Sequence, residues 1–465
     1  MTTASPFPGL SDDLFNWVQR ATGAKITAFK GRAGGGASRE GAQIDLRYAD
    51  GRSESCYMTY DLRAEGASDR LSGFLAEASA IAAVYAASQK NPNAMKVPRV
   101  LAYDADLKVM LTGMVPGETL FTLLRDPVER EAVAFDFMRQ LAALHNEDIA
   151  QLPLQGFPPI APTSTYLKPR IQALVAKHGE YAEDPLLVFA LRWLQDNMPS
   201  DPARTVLVHG DAGPANFLYQ NGRVTAVLDW EMTHFGDPME DLAWIAIRDL
   251  FQPFVELPKC FAAYEKAGGA KVDLQRVRWY RTYCLMTLTV DAFYDRYHAE
   301  GAFNGVLGNN LLYGTSHRRA LIDGLAEYAR VAAPKLDLPE CPSSEHERSF
   351  DIVLDEIKNL IVPRIDDAPT AARVKALARV VKFWQSNARC GAAFDAMEIA
   401  ELNAALAQQF ADTATARAAF VQAIRARALD DATIIRLLHQ QVQREAAIMV
   451  PVMGSLATRS FSPIE

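Results

Sequence analysis

The chain has 465 residues, 49% of them apolar and 22% charged, and its 48 Lys and Arg against 56 Asp and Glu leave a formal net charge of −8. That length exceeds one ordinary core and points to more than one domain, while the composition is that of a folded globular chain. The acidic balance supplies no basic footprint for nucleic acid or an anionic membrane, no run reaches the roughly 18 apolar residues of a membrane helix, and Met1 to Pro6 have neither the basic nor the apolar region of a secretory leader.

In chain order, the cap-like Ser11-Asp12-Asp13 opens a short amphipathic helix over 11–20. Ala28 to Ser38, with Gly34-Gly35-Gly36 at its centre, reads as a tight loop leading into a strand at 42–48. Ala49-Asp50-Gly51-Arg52 is a hairpin turn and 53–60 its return strand. Residues 70–87 carry helical periodicity, 97–101 and 108–114 read as two more strands, and Val115-Pro116-Gly117-Glu118 breaks the chain. The first part is therefore a small sheet carrying one helix.

From Leu120 the pattern is mostly helical, including 131–145 and 185–197. Two strand-like pieces interrupt it, 205–209 and, after an Asn221-Gly222 turn, 224–229. Helical text resumes at Asp241 and runs to about Ala333. Residues 334–348 are rich in Pro, Ser and Glu and read as a linker. Beyond it lie only helix-spaced apolar stripes, such as Val374/Leu377/Val381/Trp384 and Ile434/Leu437/Leu438/Val442, whose ordinary meaning is core packing.

Chemistry concentrates in Val206-Leu207-Val208-His209-Gly210-Asp211-Ala212-Gly213-Pro214-Ala215-Asn216, followed by Asp229-Trp230-Glu231, Gly236-Asp237-Pro238 and Asp241-Leu242-Ala243. Phosphoryl transfer asks a protein mainly for positioning and charge neutralisation. One carboxylate must orient or deprotonate the attacking hydroxyl, and an amide oxygen and a second carboxylate must hold Mg²⁺ against the phosphates. Asp211, Asn216 and Asp229 supply those three groups, with a loop presenting the first two and a short hairpin returning the third.

These spaced motifs resemble the aminoglycoside phosphotransferase/choline kinase superfamily, and within it the phosphotransferase domains associated with acyl-CoA dehydrogenases. The resemblance covers about residues 20–335. It implies an α+β, bilobed, protein-kinase-like fold: an N-lobe of small antiparallel sheet that binds nucleotide (1–114), then a mostly helical catalytic and acceptor-binding lobe (115–335). A further all-α domain occupies 349–465. It also implies Asp211 as catalytic base, Asn216 and Asp229 as holders of Mg²⁺, Glu231 at a second metal or the substrate, and His209 and Asp241 as braces of the catalytic loop. Gly34, Gly35, Gly36 and Ser38 would cover the phosphates of ATP or GTP. Thr112 and Met114 would lie in the interlobe hinge that meets the base. Asp237 reads as a helix cap beside Pro238, and His145 as a packed helix end.

One position departs from the pattern. The family places a Lys or Arg on its third strand to reach the phosphates, with a helix Glu as partner. Here Tyr60 falls in that slot, Arg63 comes three residues later, and Glu77 stands at the partner position. Either Arg63 substitutes, or the phosphate grip is weak, or the domain has lost activity. The acceptor would be a small molecule with a hydroxyl. Residues 279–298, dense in aromatics (Trp279, Tyr280, Tyr283, Phe293, Tyr294, Tyr297) with Asp291 and Asp295, are core or a partly apolar pocket. No dense carboxylate wall suits a polycationic antibiotic, so the reading favours a metabolic hydroxyl compound of hydroxyacyl kind over an aminoglycoside. The rivals are an inactive nucleotide-binding scaffold and transfer of the nucleotide instead of the phosphate. Cys56, Cys260, Cys284, Cys341 and Cys390 contain no CxxC pair; the expectation is five free thiols in a reducing cytoplasm.

Overall fold

The structure, a computed structural model, describes residues 4–31, 39–60, 73–179, 183–298 and 307–465. Ser11 caps the first helix, α1 (Asp12–Thr22), by accepting from the Leu14 N–H, and Gly23 ends it in the left-handed conformation. Five antiparallel strands follow in the spatial order β1-β2-β3-β5-β4: β1 (Lys25–Gly31), β2 (Glu40–Arg47), β3 (Ser53–Tyr60), β4 (Val100–Asp104) and β5 (Val109–Gly113). Between β3 and β4 lies α2 (Phe74–Lys90). Val18 of α1 packs with Ile44, Leu46, Cys56, Met58 and Leu111 of the sheet in one fully buried cluster.

The expected β2–β3 hairpin forms, with Arg47 opposite Ser53 and Glu40 opposite Tyr60. β1 was not legible as a strand. It lies at the sheet edge, buries Ile26 alone and is irregular between Ile26 and Ala28, so it shows no two-residue alternation. β4 starts at Val100 and not at 97, as expected where Pro98 has no N–H to offer a ladder.

The linker after β5 runs to α3 (Pro127–Asn146), which is capped by Asp126. Later come α4 (Thr163–Gly179), α5 (Pro185–Asp196), β6 (Val206–Val208), β7 (Phe217–Gln220), β8 (Arg223–Val227), β9 (His234–Gly236), α6 (Pro238–Phe251) and α7 (Leu257–Lys266). β7 and β8 form a hairpin whose tip is Asn221-Gly222, both with positive φ (52° and 71°), the conformation of a tight primed turn. β6 pairs with β9. β7 and β9 escaped the sequence reading because each is short and neither alternates.

Helices complete the chain: α8 (Leu274–His298), α9 (Leu307–Ala329), α10 (Glu347–Asp355), α11 (Ala368–Leu406), α12 (Thr413–Arg425) and α13 (Asp431–Met453). The segment between α9 and α10 has no regular structure, as its composition suggests. The chain forms two compact units. The first comprises Met1–Tyr166, Asp201–Val272 and Ser462–Glu465, and the second Leu167–Ser200 and Asp273–Phe461. These units cut across the three segments read from sequence: the C-terminal helices share a unit with α5, α8 and α9, and Leu311 and Leu312 of α9 pack with Val380, Met449 and Met453.

Within the second unit, the described aromatics of α8 are core. Trp279, Tyr280 and Tyr283 are buried, with Trp279 and Tyr283 stacked 5.7 Å apart. The thiol expectation needs correction. Cys341 and Cys390 form a disulfide with Cα atoms 5.2 Å apart, while Cys56, Cys260 and Cys284 are free and buried. The pairing was hidden by a 49-residue separation that only the return of the linker to α11 closes.

A three-way ion pair ties the second unit together. Arg318 of α9 donates to Asp184, the cap of α5, at 2.6 Å and to Glu445 of α13 at 2.8 Å. These partners raise the Arg318 pKa against the desolvation that lowers it. Arg318→Ala strands two poorly solvated carboxylates and is expected to cost about 3–5 kcal/mol, read as a lower midpoint in urea. Arg318→Met is expected to cost as much, since it also leaves the carboxylates unpaired.

Candidate active site

Within the first unit, β6 delivers the chain to His209 and Gly210, and both backbone N–H groups donate to Asp241 of α6, at 2.9 and 2.8 Å. Asp241 is fully buried. His145, at the end of α3, meets its carboxylate at 3.0 Å, and the Tyr264 hydroxyl is hydrogen-bonded to its other nitrogen at 2.7 Å. Burial pushes the Asp241 pKa up, but the hydrogen bond and charge of His145 and the contacts to His209 outweigh it, and the net shift is downward. His209 is likewise enclosed. Its Nε2 donates to the Leu228 carbonyl at 2.8 Å and its Nδ1 accepts from the Asp211 N–H at 3.2 Å. Both ring nitrogens are thus occupied by backbone. Gly210 has φ 83°, and a Cβ there would stand 2.3 Å from the Met232 carbonyl oxygen, so no other residue fits.

The loop then carries Asp211 and Asn216 to one place. Asn216 Nδ2 donates to the Asp211 carbonyl at 2.9 Å and to its carboxylate at 2.8 Å. That leaves the amide oxygen as the atom able to meet a ligand. Asp229 arrives by the β7–β8 hairpin: Phe217 pairs with Val227, and the Leu228 N–H donates to the Asn216 carbonyl at 2.8 Å. Asp229 has φ 65°, a left-handed backbone at a non-glycine residue. It keeps a solvent-facing surface, yet protein crowds its carboxyl. That desolvation raises its pKa, and the charge of Asp211 raises it further, against the lowering by Arg248, His209 and Arg39.

Arg248, absent from the sequence reading, grips Asp211. Its Nε donates to one carboxylate oxygen at 2.7 Å, its Nη2 to the other, and its Nη1 to the Pro214 carbonyl at 3.2 Å. Gly213, at φ 137°, leaves room for it: a Cβ there would lie 3.1 Å from Arg248 Cδ. The available signal was periodicity, since Arg248 follows Asp241 by seven residues and shares its face of α6. Asp237 caps α6 as expected, accepting from Met239 at 2.9 Å.

On the sheet side, Glu77 is buried on α2 and pairs with Arg39, whose Nε stands 3.9 Å from Glu231. Arg39 was also missed; it immediately precedes β2 and belongs to no spaced motif. Tyr60 lies in the buried cluster of the sheet and brings no charge. The Thr112 hydroxyl donates to the Tyr57 carbonyl at 3.3 Å, and the Met114 N–H to the Ser55 carbonyl at 3.2 Å, with the Met114 side chain exposed. Gly34, Gly35, Gly36, Ser38 and Arg63 lie outside the described residues.

A divalent cation fits this arrangement. Among the described residues the Asp229 carboxylate makes no hydrogen bond or ion pair, stands near a second carboxylate and is desolvated, which a cation would relieve. No cluster of three or more His, Cys, Asp or Glu side chains is poised for a metal among the described residues. The donor set, one amide oxygen and one carboxylate, is that of Mg²⁺ shared with phosphates and water.

Residues 65–280 match the phosphotransferase enzyme family model. Acyl-CoA dehydrogenase family member 11 of Gallus gallus is 30% identical over 160 residues, covering 32% of this chain and 20% of the relative. The Homo sapiens protein of the same name is 29% identical over 163 residues, with the same coverage. The chain thus spans about a fifth of the length of these curated relatives. Among solved structures, a protein assigned to the aminoglycoside phosphotransferases of Ralstonia eutropha JMP134 superposes with a TM-score of 0.51 at 18% identity, over 68% of this chain and 97% of that one. That likeness shows the kinase-like fold. No helix among the described residues is long and apolar enough to cross a membrane.

The depressed Asp241 pKa makes a pH prediction. Its stabilising contribution is complete above the unfolded-state value of about 4 and is lost as pH falls through the lower folded-state value. Asp241→Asn is expected to lower the unfolding temperature at pH 7 and to flatten its fall between about pH 4 and pH 2, read by thermal unfolding across pH. An unchanged acid limb in the variant would assign that loss of stability to other groups.

Proposed function

We propose, from the membership of residues 65–280 in the phosphotransferase enzyme family, that this chain is a small-molecule kinase moving the γ-phosphate of ATP or GTP to a hydroxyl of a small metabolite. The observation that carries this reading is the convergence of Asp211, Asn216 and Asp229, from two separate stretches of chain, through the Asn216–Asp211 hydrogen bonds and the Leu228–Asn216 backbone contact. Asp211 receives the acceptor's hydroxyl proton as its oxygen attacks the γ-phosphorus and the bond to the β-phosphate oxygen breaks. Asn216 and Asp229 would hold Mg²⁺, which supplies charge neutralisation at the phosphates. Glu231, beside Asp229 in sequence, stands ready for a second ion or the acceptor. His209 and Asp241 act only through the loop they brace.

Arg248 bears on the acceptor. Its guanidinium holds both Asp211 oxygens and aims the carboxylate. A carboxylate has lone pairs beyond those two, so a hydroxyl can still approach. The acceptor is proposed as a metabolic hydroxyl compound of hydroxyacyl kind, and not an aminoglycoside, on the sequence reading that no dense carboxylate wall suits a polycation.

The same ion pair favours a second reading, in which an Asp211 engaged on both oxygens leaves a nucleotide-binding protein without turnover. A screen of metabolite pools for a phosphorylated product, with ATP and Mg²⁺, separates the two. Product supports the kinase; nucleotide binding without product supports the scaffold. A product carrying the nucleotide's mass would instead mark nucleotidyl transfer.

Asp211→Ala is expected to lower transfer by roughly 10²–10⁴-fold while leaving nucleotide affinity within a few fold. Asp229→Ala is expected to weaken nucleotide binding more with Mg²⁺ than without it, measured by calorimetry in the two conditions. Equal losses would remove Asp229 from the metal site.

A further inference from the structure

We propose that Arg39, the residue just before β2, is the cation that grips the nucleotide's phosphates in this protein, in place of the third-strand cation its sequence lacks. The inference rests on the kinase reading above and goes beyond it by assigning a phosphate-binding residue at the approach to a different strand.

Four observations place Arg39 there. First, the third strand supplies no cation: Tyr60, at its end, is packed into the buried cluster of the sheet with Ala42 and Met58. Second, Glu77 of α2, buried to 4% exposure, has Arg39 as its ion-pair partner. An arginine is thereby held by a helix carboxylate in a largely buried position, its own side chain 12% exposed. Third, the Arg39 Nε stands 3.9 Å from Glu231, two residues past Asp229. The guanidinium therefore lies beside the segment that carries the proposed metal carboxylate. Fourth, the Arg39 guanidinium lies 4.4 Å from the centroid of the Phe74 ring, at the start of α2, which limits its swing.

The electrostatics ask for such a residue. Among the described residues, Asp211, Asp229, Glu77 and Glu231 place four carboxylates in this region, and Arg39 and Arg248 stand against them. Arg248 is spent on Asp211. A triphosphate brings several more negative charges, and one Mg²⁺ offsets only part of them. Arg39 has five N–H donors in a planar fork. Glu77 takes one, and a phosphate oxygen can be met by others without breaking that pair. The geometry also orders the assembly: Glu77 fixes the arginine before the nucleotide arrives, so less side-chain freedom is lost on binding.

The test uses the full chain and calorimetric titration with adenosine, ADP and ATP, each with Mg²⁺. Arg39→Met is expected to raise the dissociation constant for ATP at least about tenfold, the loss of one charge-assisted contact, to affect ADP similarly, and to leave adenosine unchanged. Arg39→Lys is expected to restore part of the loss. Because Arg39→Met strands Glu77, the double variant Arg39→Met/Glu77→Gln is measured alongside; it should regain thermal stability without regaining ATP affinity. ATP affinity unchanged in both variants, or an equal loss for ATP and adenosine, overturns the assignment while leaving the kinase reading intact. A native chain that binds neither ATP nor GTP sinks that reading and this inference with it.

Discussion

Much of the site hangs on a single enclosed carboxylate. Asp241 has no contact with water, and a charge in that setting persists only if it is fully hydrogen-bonded. The His209 and Gly210 N–H groups and the His145 ring supply those bonds. The requirement works in both directions: the donors keep Asp241 ionised, and Asp241 fixes the peptide planes on either side of Gly210. Those planes decide where the next residue, Asp211, points. Asn216 is oriented by Asp211, the hairpin is sewn to Asn216 through Leu228, and Leu228 also receives the His209 ring. Asp229 therefore inherits its position, link by link, from a residue on α6.

Charge sets the second layer of organisation. Carboxylates gathered for metal and proton chemistry repel one another, and the upward push of Asp211 on Asp229 is that repulsion. The protein answers with two arginines from unrelated places, Arg248 from α6 and Arg39 from the approach to β2. Lysines would give point charges; the planar fork of arginine spans both oxygens of Asp211 and braces Pro214 as well. Gly213 belongs to the same arrangement, because the Arg248 stem fills the place where its side chain would be.

The site was legible in sequence wherever its chemistry is local. Asp211, Asn216 and Asp229 sit in short, ordered motifs, and the turn that returns Asp229 is announced by Asn221-Gly222. Ser11, the β2–β3 hairpin turn and the Asp237 cap were legible for the same reason. What escaped depends on contacts distant in sequence. Arg39 finds Glu77 38 residues away and Arg248 finds Asp211 37 residues away, and nothing in their neighbourhoods marks them. Cys341 and Cys390 are a similar case. The C-terminal helices show the limit most plainly: Ile434, Leu438 and Val442 of the α13 stripe are buried as expected, but the α11 stripe is not core, with Leu377 55% and Trp384 53% exposed, and a stripe does not name its partner, since α13 packs on α9 across the linker that seemed to separate them.

The backbone of Asp229 carries a consequence for how this position drifts over generations. At φ 65° most side chains crowd the following carbonyl, at a cost of roughly 1–2 kcal/mol. Glycine and the short amides and acids, Asn and Asp, tolerate it. Glutamate, which bears the same charged group, is disfavoured by shape and not by chemistry. The least strained choices are therefore three residues, only one of which carries a charge. A descendant of this chain released from any need to hold a cation would be expected to settle on Asn or Gly here with its fold undisturbed. Such a letter, set between Leu228 and Trp230, would be the mark of a domain that kept its architecture after giving up its trade.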